Sequence, residues 1–183
     1  IGEVELGVNY VLIISTNAGL WGYNISDTVQ FTSLQPYRVI VSGRIKHYIS
    51  AFGEHVIGKE VEEALKEAMA GTNIRVNEFT VAPQITPKEG LPYHEWFIEF
   101  DPESSGEPED LVTFAEAIDD AMRKQNVYYD DLIVGKVLRK LVVTKVSKNG
   151  FQEYMKSIGK LGGQNKIPRL SNDRKIVDEL GKR

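Results

Sequence analysis

The fold is decided by the stretch NIRVNEFTVAPQITPKEGLPYHEWFIEF, residues 73–100. Its two ends, residues 73–82 and 93–100, are rich in β-branched and aromatic side chains, which are enriched in strands. The residues between these ends include prolines and Gly90, which are typical of loops. The stretch therefore predicts two antiparallel strands joined by a loop.

Helices are predicted on both sides of this strand pair. The preceding segment VIGKEVEEALKEAM, residues 56–69, has apolar residues at close to helical spacing, and Gly71 follows it as a stop signal. In the following helix, residues 111–122, one face carries apolar side chains at spacings of three and four, and we expect this face to point inward. These side chains are Leu111, Phe114, Ile118 and Met122.

The remaining patterns complete an order of β-α-β-β-α-β-α after residue 45. Residues 45–50 and 137–146 are predicted strands, and residues 151–158 and 175–180 are predicted short helices. This order is typical of a split βαβ arrangement, in which an antiparallel sheet carries helices largely on one face. The fold class is therefore predicted to be α+β.

The first part of the chain has a different pattern, because short strands follow one another without a helix. They are predicted at residues 9–15, 20–25, 28–32 and 37–41. The pattern shifts at residues 43–46, so we predict a β-rich unit over residues 1–44 and an α+β unit over residues 45–183. The chain opens on Ile1 with a strand pattern, which we interpret as a cut through a larger protein.

Composition narrows the possible functions. A 183-residue chain with 42% hydrophobic and 26% charged residues is typical of a soluble globular protein, and its net charge of −4 argues against a nucleic-acid partner. The sequence contains no cysteine and its three histidines show no metal-ligand spacing, so no metal site is predicted. With no apolar run of membrane-spanning length and no visible signal peptide, we expect a cytoplasmic protein without a membrane partner.

Three residues in or near the predicted boundary are candidates for function, two as nucleotide-binding residues and one as a pivot. The carboxylate of Asp27, at a predicted strand turn between Tyr23 and Thr28, has two oxygens that can accept hydrogen bonds from a ribose diol. Arg44, at the end of a predicted strand, can fork onto a phosphate or ribose oxygen. Lys46 lies where a pivot between the two units is expected. Taken singly, each is also compatible with an ordinary turn or surface residue.

The segment KLGGQNKIPR, residues 160–169, is a glycine-rich loop that carries Lys166. Glycines leave such a loop mobile, and its lysine can bring a positive charge to a carboxylate or phosphate at one stage of a reaction and withdraw it at another. The segment lacks the Gly-Lys-Ser/Thr ending of a phosphate-binding loop. The alternative is a glycine helix stop followed by a basic tail.

Taken in order, three segments resemble motifs of the adenylate-forming superfamily. Residues 18–27, AGLWGYNISD, look like its Tyr-x-x-Gly-Asp motif, with Ser26 in the place of glycine, and residues 43–46, GRIK, look like its hinge motif. Residues 160–169 are similar to the Leu-Gly-Gly-Gln-x-Lys-x-Pro-Arg signature of one branch, the Gretchen Hagen 3 acyl acid–amido synthetases.

The resemblance implies a role for each candidate residue. Tyr23, Asp27 and Arg44 would bind ATP, with Asp27 on the ribose hydroxyls. Lys46 would lie at the hinge on which a C-terminal lid domain turns. Lys166 would be catalytic, reaching the acid substrate and the α-phosphate during adenylation. The cofactors would be ATP and Mg²⁺, with their sites mostly in an N-terminal domain outside this sequence.

The resemblance also implies a reaction, in which a carboxylic acid is adenylated and then conjugated to an amino acid. Because the phosphate loop and the acid pocket would lie in that N-terminal domain, we expect the 183-residue chain alone to be inactive. Two alternatives stay open. One is the lid domain of another adenylate-forming ligase of the acyl-CoA synthetase type, and the other is a non-catalytic binding or interaction module, since fold alone does not fix function.

Overall fold

The structure is a computed structural model that describes residues 2–44, 48–102, 108, 110–162 and 165–182, without the side chains of residues 26 and 44. In chain order, its elements are β1 Asn9–Ile14, β2 Tyr23–Leu34, β3 Tyr37–Arg44, β4 Tyr48–Ile49, β5 Val56–Ile57, α1 Gly58–Met69, β6 Val76–Gln84, β7 Tyr93–Phe100, α2 Leu111–Gln125, α3 Val127–Val134, β8 Val142–Lys145, α4 Gly150–Ser157 and α5 Lys175–Leu180.

The first sheet is an antiparallel meander in the order β1-β2-β3. The sequence predicted two strands, at residues 20–25 and 28–32, where the structure has the single strand β2. That prediction was wrong because the polar pair Ser26-Asp27 does not turn the chain. Asp27 and Thr28 still pair with β3. Near these residues the register of β2 shifts against both β1 and β3, so that the strand is bulged there but continuous.

The second sheet, in the order β6-β7-β8, is built on the predicted strand pair. β6 and β7 are antiparallel, as expected, and Thr80 lies opposite Phe97. β8 runs parallel to β7 rather than antiparallel, because α2 and α3 form a long crossover that returns the chain to the same end of the sheet. The unit thus has the mixed α and β character predicted, with one parallel strand pair.

Helices cover both faces of this sheet, because β7 is apolar on both. Trp96 and Ile98 join the large core with α1 and α2, whereas Phe97 points to the opposite face. There it packs in a second core with residues of α4 and α5, namely Phe151, Met155, Val177 and Leu180. The prediction of helices largely on one face therefore holds for α1 and α2 but not for α4 and α5.

Helix α3 was not predicted from the sequence. Asn126 ends α2, and its side-chain oxygen accepts the N–H of Tyr129 at 2.9 Å, which starts the new helix at once. The following strand is shorter than the predicted 137–146, because the amides of Val137 and Leu138 donate to the carbonyl of Leu132 instead of to a neighbouring strand. Leu138 is nevertheless buried in the large core.

The hairpin β4–β5 is held to the second sheet by a buried polar network. Glu54, in the turn of this hairpin, and His94, on β7, are both almost fully buried, and Oε1 of Glu54 lies 2.9 Å from Nε2 of His94. The second carboxylate oxygen of Glu54 accepts the N–H of Phe52 at 2.8 Å. The side-chain amide of Asn126 donates to the carbonyl of Glu54 and to Glu60, both at 3.1 Å. The hairpin that follows the predicted hinge is therefore tied to β7 and to the end of α2.

Within the described ranges, no helix has both the length and the apolar character needed to cross a membrane.

Candidate functional site

Asp27 lies inside strand β2 and not at a turn. Its Cα is the register partner of Arg44, the last residue of β3, so the structure brings these two predicted nucleotide-binding residues together. On the other side, the register with β1 jumps from Thr28 to Asn24, which places Asp27 in a bulge. Bulges re-aim side chains and are over-represented next to active sites. The sequence suggested a turn here because a polar pair in a strand is uncommon.

The Thr28 side chain, next to Asp27, lies close to Gly43 of β3. Gly43 lies opposite Thr28, and a Cβ atom placed on Gly43 would stand 3.4 Å from the hydroxyl oxygen of Thr28. That hydroxyl accepts a hydrogen bond from Ser42 at 3.1 Å. The Thr28 side chain is thereby fixed against the end of β3. This contact holds the strand ends that carry Asp27 and Arg44 in a defined register.

Tyr23 begins β2 after a tight turn and is half exposed. In that turn, the amide of Thr16 donates to the carbonyl of Leu20 at 2.8 Å, and the amide of Gly22 donates to the hydroxyl of Ser15 at 3.0 Å. Gly22 has a φ of 58°, which a residue with a Cβ rarely adopts. The turn therefore fixes the direction in which the chain enters β2, four residues before Asp27.

Two parts of the predicted site fall outside the described residues. Lys46, the predicted hinge, is one, and residues 163–164 of the glycine-rich loop are the other. The neighbouring loop residue Gly162 has a φ of 89°, consistent with a loop that needs glycine.

Lys166 is exposed and belongs to the second unit, in the segment between α4 and α5. It lines a cleft of about 270 Å³ between β6, β7 and the start of α4. Among the other lining residues are two glutamates, Glu78 on β6 and Glu99 on β7, which are directly opposite each other in the strand register. The cleft thus combines one lysine with two carboxylates.

The chain directly after Lys166 is fixed against the edge of β6. Ile167 is buried, and the carbonyl of Pro168 accepts the hydroxyl of Thr80 at 2.8 Å. Val81 then pairs in parallel with residues 169–171, because its amide donates to the carbonyl of Arg169 and its carbonyl accepts the amide of Ser171, both at 2.9 Å. Lys166 is therefore the last loop residue before an anchored segment.

Two carboxylates directly opposite each other repel, so each needs a partner. Glu99 is buried and accepts backbone N–H groups at the start of α4, from Asn149 at 3.0 Å and from Phe151 at 3.4 Å. Glu78 is paired with Arg169. Sequence reasoning missed both glutamates, because only the strand register shows that residues 78 and 99 meet beside Lys166.

A model of the GH3 family central domain matches residues 1–44, and a model of the GH3 family C-terminal domain matches residues 59–175. No curated protein sequence matches the chain.

Solved structures share the fold at low sequence identity. They include a GH3.15 acyl acid amido synthetase, with a TM-score of 0.76 and 18% identity over 98% of this chain and 34% of that one. AtGH3.15 acyl acid amido synthetase in complex with 2,4-DB matches with a TM-score of 0.75 and 18% identity, over 98% of this chain and 33% of that one. A 2-hydroxyisobutyryl-CoA ligase in the postadenylation state matches with a TM-score of 0.53 and 15% identity, over 98% of this chain and 35% of that one. The chain thus spans about a third of the length of these proteins.

Proposed function

Because the chain belongs to the GH3 family, we propose that it works as part of an ATP-dependent ligase that adenylates a carboxylic acid and conjugates it to an amino acid. The observation that carries the proposal is the match of two successive GH3 domains, in order, over most of the chain. The remainder of the enzyme, with the phosphate loop and the acid pocket, would be supplied by a preceding domain.

In the first step, a carboxylate oxygen of the acid attacks the α-phosphorus of ATP. The new bond is the acyl–phosphate bond of the acyl adenylate, and the bond to pyrophosphate breaks. Negative charge accumulates around the α-phosphate in the transition state, and a lysine placed there stabilises it. Lys166, exposed at the mouth of its cleft and followed by an anchored segment, is suited to supply that charge.

In the second step, the amine of an amino acid attacks the acyl carbon of the adenylate. The amide bond forms, AMP leaves, and the amine gives up a proton. Mg²⁺ would accompany ATP as substrate, and the described residues include no group of three or more acidic or histidine side chains placed to hold a metal ion.

Nucleotide binding is proposed for the strand pair β2–β3. Asp27 lies in a bulge of β2, a feature that re-aims side chains, and the two oxygens of a carboxylate match the two hydroxyls of a ribose. Arg44 lies directly across from it in the register and would bind the ribose or phosphate. Tyr23 would lie near the same nucleotide, and Lys46 would serve as the hinge.

The test is acid-dependent exchange between ATP and pyrophosphate, measured on the full-length protein that carries this chain with a panel of small carboxylic acids. Exchange that rises with one acid supports adenylation, and amide formation with an added amino acid supports the second step. Thioester formation with coenzyme A would instead favour the alternative ligase type, to which the CoA ligase fold gives some support. A folded protein that binds ATP without exchange would favour a binding module.

A further inference from the structure

Arg169, three residues after the candidate catalytic lysine, makes several contacts through its side chain. Its guanidinium pairs with Glu78 and donates to the carbonyl of Phe79 at 3.2 Å. Its Nε lies 3.2 Å from Glu62 on α1, and its Cζ stands 4.5 Å above the ring of Phe79. The fork of donors and the flat face of an arginine are both used here, and a lysine offers neither.

One of these contacts, the pair with Glu78, involves a carboxylate that lines the cleft of Lys166. Both carboxylate oxygens of Glu99 already accept hydrogen bonds from backbone amides at the start of α4. Glu78 is the other carboxylate, and Arg169 holds it. Without Arg169, the Glu78 carboxylate would lose its arginine partner while lining the same cleft as the exposed ammonium group of Lys166. Opposite charges at such a site attract, and they attract more strongly where water is partly excluded.

We propose that Arg169 is a positioning residue that occupies Glu78 and so leaves the ammonium group of Lys166 free to reach the nucleotide. The proposal rests on the function proposed above for Lys166. Arg169 touches no substrate in this scheme and acts through Glu78. Its backbone carbonyl, paired with Val81, fixes the same segment from the other side, so that Lys166 starts from a defined position.

The first experiment compares three variants of the full-length protein in acid-dependent ATP–pyrophosphate exchange. Arg169→Gln is expected to lower kcat by at least about tenfold with a smaller change in the KM for ATP, since Lys166 is captured by Glu78. Glu78→Gln removes the competing charge and is expected to retain most of the activity. The double variant Glu78→Gln with Arg169→Gln is expected to recover most of the loss, which a purely structural role of Arg169 does not predict.

The control is Arg174→Gln. Arg174 also joins a helix to the sheet through ion pairs, to Glu95 at 2.8 Å and to Asp178 at 3.1 Å, but neither of these carboxylates lines the cleft of Lys166. Its loss is expected to lower the melting temperature without the fall in kcat. A fall in kcat equal to that of Arg169→Gln would assign the effect to general stability and overturn the proposal.

The second experiment does not depend on catalysis. Lys166 is labelled with a limiting amount of an amine-acylating reagent, and its modified fraction is read by mass spectrometry. Arg169→Gln is expected to slow labelling about threefold or more, because an ion-paired ammonium loses its proton less readily, and the double variant is expected to restore it. Unchanged labelling in Arg169→Gln overturns the proposal even if exchange activity is lost.

A last variant covers the case in which Arg169→Gln does not fold. Gln152→Glu, on the exposed side of α4, places a new carboxylate in the same cleft and leaves Arg169 and Glu78 intact. It is expected to slow both Lys166 labelling and exchange, and normal labelling would overturn the proposal. If the wild-type protein shows no exchange with any acid, the proposed function fails, and labelling alone then decides whether Arg169 keeps Lys166 free.

Discussion

Glu54 and His94 form a buried pair that joins the turn of the β4–β5 hairpin to the central strand β7, with 2.9 Å between the carboxylate oxygen and Nε2. Both side chains have almost no exposed surface. Such a pair is costly to bury and more costly to break, because removal of one member leaves the other buried without its partner. It fixes the residues that follow the predicted hinge to the sheet that carries the lysine cleft.

We expect Glu54→Leu to reduce the free energy of unfolding by about 3 kcal/mol, the usual effect of breaking a buried pair. Glu54→Gln keeps an oxygen that can face the ring of His94, so its cost is expected to be smaller, about 1 kcal/mol. Urea unfolding of the two variants against wild type measures both values. Equal stability of all three proteins would show that the pair contributes nothing.

Two glutamates in this region, the buried Glu54 and the partly buried Glu60, are expected to make stability depend on pH in opposite directions. Burial raises the pKa of Glu54, but hydrogen bonding to and attraction by His94 outweigh it and hold the pKa below its ordinary value of 4.5. Its contribution is therefore present above pH 4.5 and is lost as the pH falls through the lower folded-state value. Glu60 differs, because burial raises its pKa more than the N–H groups of Ile57 and Asn126 lower it.

For Glu60, the contribution to stability is present below pH 4.5 and is lost as the pH rises through the raised folded-state value. We therefore expect Glu60→Gln, which keeps an acceptor for Ile57, to be at least as stable as wild type at neutral pH. Glu54→Gln is expected to be less stable there, with a difference that shrinks in acid. Unfolding curves at several pH values distinguish the two variants, and identical pH profiles would contradict the assignment.

Tyr129 is expected to act as a hydrogen-bond donor at every physiological pH. Burial, followed by the charge and hydrogen bond of Asp119, raises the pKa of its phenol well above its ordinary value. Its hydroxyl donates to Asp119 at 2.7 Å, and the amide of Leu141 donates to the same oxygen at 3.1 Å. Tyr129→Phe should therefore cost about 1–3 kcal/mol, measured by urea unfolding, because it takes one of two donors from a buried carboxylate. The exposed neighbour Tyr128→Phe is the matched control.

Lys166→Ala in the full-length protein is expected to lower the rate of acid-dependent ATP–pyrophosphate exchange by about 10²-fold to 10³-fold, the usual cost of removing one group that stabilises transition-state charge. Binding of ATP should change much less, because Lys166 is exposed on a loop and is proposed to act mainly in the transition state. Lys160→Ala, at the other end of the same loop, is the control. Full activity of Lys166→Ala would remove this residue from the mechanism.

Asp27→Ala is expected to act on binding. Loss of both acceptors for the ribose hydroxyls should raise the KM for ATP by about tenfold or more, with a smaller change in kcat, since this contact is the same in ground state and transition state. The KM for ATP of Asp27→Asn should lie between those of wild type and Asp27→Ala. The steady-state dependence of exchange on ATP concentration gives both constants, and an unchanged KM would contradict a ribose-binding role.

Local patterns were enough to predict several elements. The ends of β7 and α5 lie where the sequence placed them, because β7 is a dense run of strand formers bounded by a loop and α5 follows a clear break. Helix α2 was also predicted, three residues short, since its apolar face is regular. The motifs near both ends of the chain predicted the GH3 family, which the family models confirm.

Features that depend on pairing between distant residues could not be predicted. The bulge around Asp27 and the parallel direction of β8 follow from hydrogen bonds to other strands, which no local pattern records. Glu54 meets His94 across forty residues of chain, and Glu78 meets Glu99 only through the register of β6 and β7. The proposed roles of Tyr23, Asp27, Arg44, Lys46 and Lys166 stay predictions, because they describe events on a substrate.

The pairing of Val81 with residues 169–171 has a consequence for how the protein behaves in concentrated solution. β6 is an outer strand of its sheet, and an open strand edge is a template for association with other chains. The segment that follows the candidate catalytic lysine occupies that edge at Val81, and the buried side chain of Leu170 ties it to the core. Truncation after Lys166 would thus remove both the anchor of the lysine and the cover of the edge, so the shortened protein is expected to aggregate.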